Sequence, residues 1–187
     1  LAVLVIAGSG RGAGKTAVGC ALIAGMPELR WVAVKATPHE HEVAGRLWEE
    51  TDSDSDKDTG RYLKAGAARA FLISNLADEA LVCAVAKVRD RYAEAGNLLI
   101  ESNRVTAQVV ARRGEPAVCL AAVSDAEARW KDSLRERIDD ADALVLTGGF
   151  SRAELPGELG GRKVFRLDAG QWSSPELLAF VRGRLVD

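Results

Sequence analysis

The chain opens on seven apolar residues, Leu1 to Ala7, with no polar alternation. An unbroken run of that length predicts a strand covered on both faces, as in a parallel sheet. The same pattern returns at Trp31–Ala36, Ala70–Ser74, Leu98–Ser102, Ala117–Val123, Ala143–Thr147 and Val164–Leu167. Between these runs the apolar period lengthens to that of a helix. Val18, Ala21, Leu22 and Gly25 share one stripe of Ala17–Met26, which Pro27 limits. Leu81, Ala84, Val85, Val88 and Tyr92 share a face of Asp78–Glu94. Trp130, Leu134 and Ile138 recur at steps of four in Glu127–Asp139, beside a Glu127–Lys131 pair. The last helix is opened by Ser174 as cap and Pro175 in its first turn, and buries Leu177, Phe180, Val181 and Leu185.

Strand and helix patterns alternate from end to end, with no repeat, linker or change of composition. The expectation is one domain over 1–187, a three-layer α/β fold with a mostly parallel sheet of about seven strands. Two stretches do not follow the alternation. Asn103–Glu115 has no readable period. Glu49–Asp58 is dense in acid and reads as a mobile solvated loop. Asp52, Asp54 and Asp56 imitate a calcium loop, but Lys57 stands where a glycine is needed and Leu63 where a glutamate closes the loop. After it, Asp58-Thr59-Gly60 reads as the N-terminal cap of a helix over Arg61–Ala67.

The first strand and first helix are joined by Gly8-Ser9-Gly10-Arg11-Gly12-Ala13-Gly14-Lys15-Thr16. Strand, glycine-rich turn, Gly-Lys-Thr and helix is the order of a phosphate-binding loop. Glycines let successive N–H groups face one anion, and the helix N-terminus adds partial positive charge. The residues expected around the phosphates are Gly10, Arg11, Gly12, Ala13, Gly14, Lys15, Thr16 and Ala17, with Thr16 also on Mg²⁺. Ser9 stands where the motif has its first glycine, and Gly10 stands where one ATPase subclass has a second lysine.

In parallel sheets ligands gather at the carboxyl ends of strands. That edge collects the loop, Lys35, Glu101, Ser124-Asp125 and Thr147-Gly148-Gly149. Lys35 and Glu101 each end an apolar run, where a charge is costly without a partner. A nucleotide with Mg²⁺ would partner both. Next to Lys35, His39 and His41 alternate with Glu40 and Glu42, but no third ligand is visible for a metal. A polar loop is the alternative reading.

A net charge of −2 argues against a general nucleic-acid surface. The opening run is too short to span a bilayer and lacks a basic lead, so no membrane segment is expected. Cys20, Cys83 and Cys119 are widely spaced in apolar runs and read as reduced core residues of a cytoplasmic protein.

The loop, the Val34-Lys35 strand end with its His-containing sequel, and Lys57–Tyr62 followed by Lys64-Ala65-Gly66-Ala67 resemble the MobB-type molybdopterin-guanine dinucleotide biosynthesis proteins, P-loop proteins related to dethiobiotin synthetase. The strand ending at Glu101 and the Ala122–Asp125 segment are also similar. Ser102-Asn103 depart from the glycine that commonly follows the acid in that family. The resemblance implies binding and slow hydrolysis of GTP or ATP with Mg²⁺, in service of a molybdopterin-nucleotidyl transferase partner, with a homodimer possible. It implies Lys15, Lys35 and Glu101 as catalytic residues, and Thr16, Asp58 and Glu101 as the Mg²⁺ shell. A helix cap for Asp58, a strand-end hydrogen bond for Glu101 and a surface pair for Lys35 stay open beside these roles. No Asn-Lys-x-Asp segment selects guanine, so an ATP-dependent kinase or ligase and a non-catalytic nucleotide scaffold are the alternatives.

Overall fold

The computed structural model describes residues 1–38, 47–124, 129–151, 155, 157–159 and 161–186. His39, Glu40, His41 and Glu42, Asp125 and the Glu127 half of the Glu127–Lys131 pair lie outside the described residues.

The apolar runs form β1 (Val3–Gly8), β2 (Trp31–Thr37), β4 (Arg69–Ser74), β5 (Asn97–Glu101), β6 (Ala117–Val123), β7 (Ala143–Leu146) and β8 (Lys163–Arg166). An additional strand, β3 (Leu47–Glu50), brings the sheet to eight, in the order β3-β4-β2-β5-β1-β6-β7-β8. Every pairing is parallel except β3 with β4. Sequence reasoning had about seven strands and placed Glu49 and Glu50 in a solvated loop. The correction has a physical cause. Glu50 is buried and accepts hydrogen bonds from the Thr51 and Asp52 N–H groups and the Thr59 hydroxyl, while Glu49 pairs with Arg69. The acids at this strand end are therefore partnered.

The helices are α1 (Lys15–Gly25), α2 (Asp58–Lys64), α3 (Asp78–Tyr92), α4 (Ala107–Val110), α5 (Asp132–Arg135) and α6 (Pro175–Val186). Side chains of β1 alternate between two cores, as the period of two requires. Leu4 and Ile6 pack with Val18 and Leu22 of α1, Tyr62 of α2, and Leu177 and Val181 of α6. Val3 and Val5 pack with Leu81 and Val85 of α3 and Val110 of α4. A third cluster joins Ala121 and Val123 of β6 to Trp130, Leu134 and Ile138. Helices on both faces of the sheet give the three layers expected.

Three local readings are corrected. Glu127–Asp139 is not one helix over its described part: α5 is a single turn followed by a 3₁₀ turn at Ile138–Asp140. Its three apolar side chains are nonetheless buried, so burial and not helix period explains their spacing. Asp58 is inside the first turn of α2 instead of capping it, since its carboxylate faces Lys35. Cys83 is exposed on α3, whereas Cys20 is half-buried and Cys119 buried. Burial pushes the Cys20 and Cys119 thiols up to about 11, which keeps them unreactive. The Ser174 cap holds, with its hydroxyl accepting from Leu177 N at 3.2 Å.

Candidate functional site

The turn between β1 and α1 is closed and tied down at several points. Gly12 and Gly14 adopt φ of +82° and +84°, the left-handed region that side-chain-bearing residues avoid. Gly8 is required for a different reason. A Cβ there would lie 2.7 Å from Lys15 Cγ, so its bareness lets the lysine stem fold over the turn. Lys15 Nζ donates to Gly10 O at 2.8 Å. The ammonium therefore closes on the loop that precedes its own helix.

Ser9, the departure from the motif, is buried for a structural purpose. Its N–H donates to Ala122 O at 2.9 Å, and its hydroxyl accepts from Ser124 N at 3.2 Å. A glycine could not make the second bond, which joins the loop to the end of β6. Thr147, just beyond β7, donates through Oγ1 to Ala13 O at 2.9 Å. Asn103 grips the Gly8 peptide on both sides: its Oδ1 accepts from Gly8 N and its Nδ2 donates to Gly8 O, each at 2.9 Å.

The second half of the site is centred on Glu101, which is almost completely buried at the end of β5. Register pairs Glu101 with Ile6 on one side and Lys35 on the other. Two strand ends thus bring the acid beside the loop and the lysine beside the acid. Oε2 accepts from Thr16 Oγ1 at 2.7 Å and from the Tyr62 hydroxyl at 2.6 Å, while Oε1 takes Lys35 Nζ. Lys35 also contacts Asp58 Oδ2 at 3.0 Å. Asp58 in turn reaches Arg61 at 3.4 Å. Every polar atom of this buried carboxylate is matched, which is the condition for tolerating it.

These surroundings move the titrations in a consistent way. Burial works against the Lys35 ammonium, but the Glu101 and Asp58 carboxylates outweigh it and hold the lysine above its ordinary value. Burial likewise opposes the Asp58 carboxylate, yet Lys35 and Thr16 hold it below the usual range. Lys15 moves the other way: burial lowers it, only partly offset by Glu101. Tyr62, wholly buried and beside Glu101, is pushed well up and stays a hydrogen-bond donor.

The cleft above these groups measures about 380 Å³ and is lined by Gly10, Lys15, Lys35, Asp58, Glu101 and Lys131, among others. Arg11 also lines it and is exposed. Of the residues expected from sequence, Gly10 through Ala17 form the turn and the start of α1, and Lys35, Asp58 and Glu101 converge beside it. The residues that sequence reasoning missed are Tyr62 and Asn103. Tyr62 was inside the Lys57–Tyr62 segment that carried the resemblance, and Asn103 was noticed only as a departure.

The residues present fit a triphosphate with Mg²⁺. The donor set is oxygen-only, from Thr16, Asp58 and Glu101, which suits a hard divalent ion. The turn supplies the Lys15 ammonium and the N-terminus of α1. Among the described residues, no group of three His, Cys, Asp or Glu side chains is arranged to hold a metal unaided. The ion would therefore depend on the phosphates for part of its shell.

No protein-family model and no curated protein matches the chain. Solved structures do. HypB from Helicobacter pylori, in complex with nickel, aligns with a TM-score of 0.60 at 17% identity, covering 98% of this chain and 84% of that one. The hydrogenase maturation factor HypB from Archaeoglobus fulgidus aligns with a TM-score of 0.59 at 18% identity, covering 98% and 90%. At such identities the likeness is one of fold: both share the three-layer, mostly parallel P-loop NTPase architecture. Neither is a MobB-type protein.

Proposed function

We propose that the protein is a Mg²⁺-dependent nucleoside triphosphate hydrolase of slow turnover, acting as an accessory factor in the assembly of a metal cofactor. The observation that carries this reading is the Glu101 hub. One buried carboxylate gathers Thr16, Lys35 and Tyr62 directly beside the lysine of the phosphate loop.

In this reading the loop amides and the α1 N-terminus hold the β-phosphate. Lys15 exchanges Gly10 O for phosphate oxygens, regaining the charge partner that burial denies it. Thr16, Asp58 and Glu101 hold Mg²⁺, directly or through water. The ion supplies charge neutralisation at the phosphate oxygens when bound. Lys35, released from between the two carboxylates, is placed to face the γ-phosphate. Asn103 and Thr147 keep the turn closed throughout.

The accessory role is supported by two likenesses. The Lys57–Ala67 segment resembles MobB-type proteins, which favours GTP and a molybdopterin-nucleotidyl transferase as partner. The fold neighbour from Archaeoglobus fulgidus is a hydrogenase maturation factor, and the one from Helicobacter pylori holds nickel. Both point to metal-cofactor assembly, and they differ in the metal. The chain is taken to work as one domain in the cytoplasm.

A second reading is an ATP-dependent small-molecule kinase or ligase of the dethiobiotin synthetase type. It is favoured by Lys35, Lys131 and Arg11 lining the cleft, three cations that an anionic acceptor would meet. Competition between GTP and ATP, followed by product analysis with candidate carboxylic acids, decides. GTP preference with release of phosphate alone supports the first reading. ATP preference with a modified acid overturns it. Nucleotide binding without any turnover leaves a scaffold and removes the hydrolase.

A further inference from the structure

We propose that Trp172 is the platform on which the base of the bound nucleoside triphosphate rests. The proposal builds on the reading of Gly8–Thr16 as a triphosphate site and assigns its nucleoside end.

The site is polarised across β1. Lys35, Asp58, Tyr62 and Glu101 all lie on the side of β5 and β2, and they mark the metal and terminal-phosphate end. With that end on one side, the flank left for the nucleoside is the opposite one, toward the ends of β7 and β8, where Ala13 and Gly14 adjoin Thr147. That is where Trp172 stands. Its ring edge is seated on Gly14: a Cβ on the glycine would lie 2.6 Å from Cζ3 and 3.2 Å from Cε3. Thr147 Cγ2 borders the same spot at 3.4 Å.

A singly exposed aromatic is ordinary on a protein surface. The seat is what sets this one apart. The chain before it is closed by Gln171 N donating to Asp168 O at 2.9 Å, with Gly170 at φ +81°. The chain after it enters the Ser174-capped start of α6. The backbone is turned on both sides of Trp172 and its ring edge lies against Gly14, yet 37% of the residue stays exposed. An aromatic face fixed beside a phosphate site is matched by a planar base, which stacks on it with little regard to base identity. The predicted ligand class is a purine nucleoside triphosphate. Guanine and adenine would share the platform.

The test compares GTP with inorganic tripolyphosphate, both with Mg²⁺, by calorimetry on wild type, Trp172→Ala and Trp172→Phe. The alanine variant is expected to lose about tenfold in GTP affinity, with tripolyphosphate affinity unchanged. The phenylalanine variant should recover most of the loss. In wild type, GTP should quench tryptophan emission and tripolyphosphate should not, with the quench absent in Trp172→Phe. Equal losses for the two ligands would make Trp172 a prop for the loop and overturn the proposal, as would no loss at all. If wild type takes up neither ligand, the triphosphate reading falls, and the platform with it. Binding of tripolyphosphate with a null Trp172 effect isolates the failure to the platform.

Discussion

The phosphate loop is held on its two flanks by different kinds of chemistry. Toward β5 and β2, beside the neutral Asn103 clasp on Gly8, the contacts are ionic or charge-assisted: Thr16 and Lys35 on Glu101, and Lys35 on Asp58. Toward β6 and β7 they are neutral hydrogen bonds: Ser9 with Ser124, and Thr147 with Ala13. Charged partners in a partly dry site respond strongly to any new ion, because each is stabilised by the others. The neutral pairs, Thr147 on the Ala13 carbonyl and the Ser124 N–H on the Ser9 hydroxyl, carry no net charge for an ion to attract. The difference suggests a division of labour, with one flank rearranging around Mg²⁺ and phosphate while the other keeps the turn in register.

The largest effect is expected from removing the lysine that closes on the loop between the two flanks. Lys15→Ala is expected to abolish measurable Mg²⁺-triphosphate binding by calorimetry, and unchanged affinity would remove the loop assignment. On the ionic flank, Glu101→Gln should cut Mg²⁺-dependent phosphate release by roughly 10–100-fold, with nucleotide affinity falling much less. Wild-type turnover would make Glu101 structural. The two flanks can then be compared by denaturant unfolding. Lys35→Met leaves Glu101 buried with a lost counter-charge and should cost roughly 2–4 kcal/mol. Thr147→Val, on the neutral flank, should cost only about 1 kcal/mol. Equal losses would erase the distinction.

The smallest effect is in pH dependence. The depressed Asp58 carboxyl contributes stability that is present above its ordinary value of 3.8 and lost as pH falls through its lower folded value. The raised Lys35 contributes stability that is present below 10.5 and lost as pH rises through its higher folded value. The ionic flank should therefore be flat between about pH 4 and pH 10. Asp58→Asn should soften only the acid limb of the unfolding profile. Loss of stability near neutral pH in that variant would show that another group governs the flank.

What could be read from the sequence was whatever depended on local spacing. The loop, the strand ends at Lys35 and Glu101, and the Ser174 cap are encoded within a few residues each. The β3 strand was hidden because Leu47-Trp48 offers only two apolar positions before an acid run, and acids read as solvent-facing. Their partners, Thr59 and Arg69, are fixed by folding alone. Tyr62 and Asn103 were missed for a related reason. Tyr62 reaches Glu101 because α2 crosses α1 at Gly19, where a Cβ would meet Tyr62 Cε1 at 3.0 Å. Asn103 lies 95 positions from the peptide it clasps. Neither proximity leaves a mark in the local pattern.

The two outermost strands have a consequence for how copies of this chain meet. Each is only four residues long, Leu47–Glu50 at one border and Lys163–Arg166 at the other. At the first, Glu50 is buried on Thr59 and Glu49 is paired with Arg69; the second carries Lys163 and Arg166. A second copy that added to either border would find a ladder of only four residues. So short a rim offers little main-chain pairing to a neighbour, while the apolar middle strands, each paired on both sides, present no free edge.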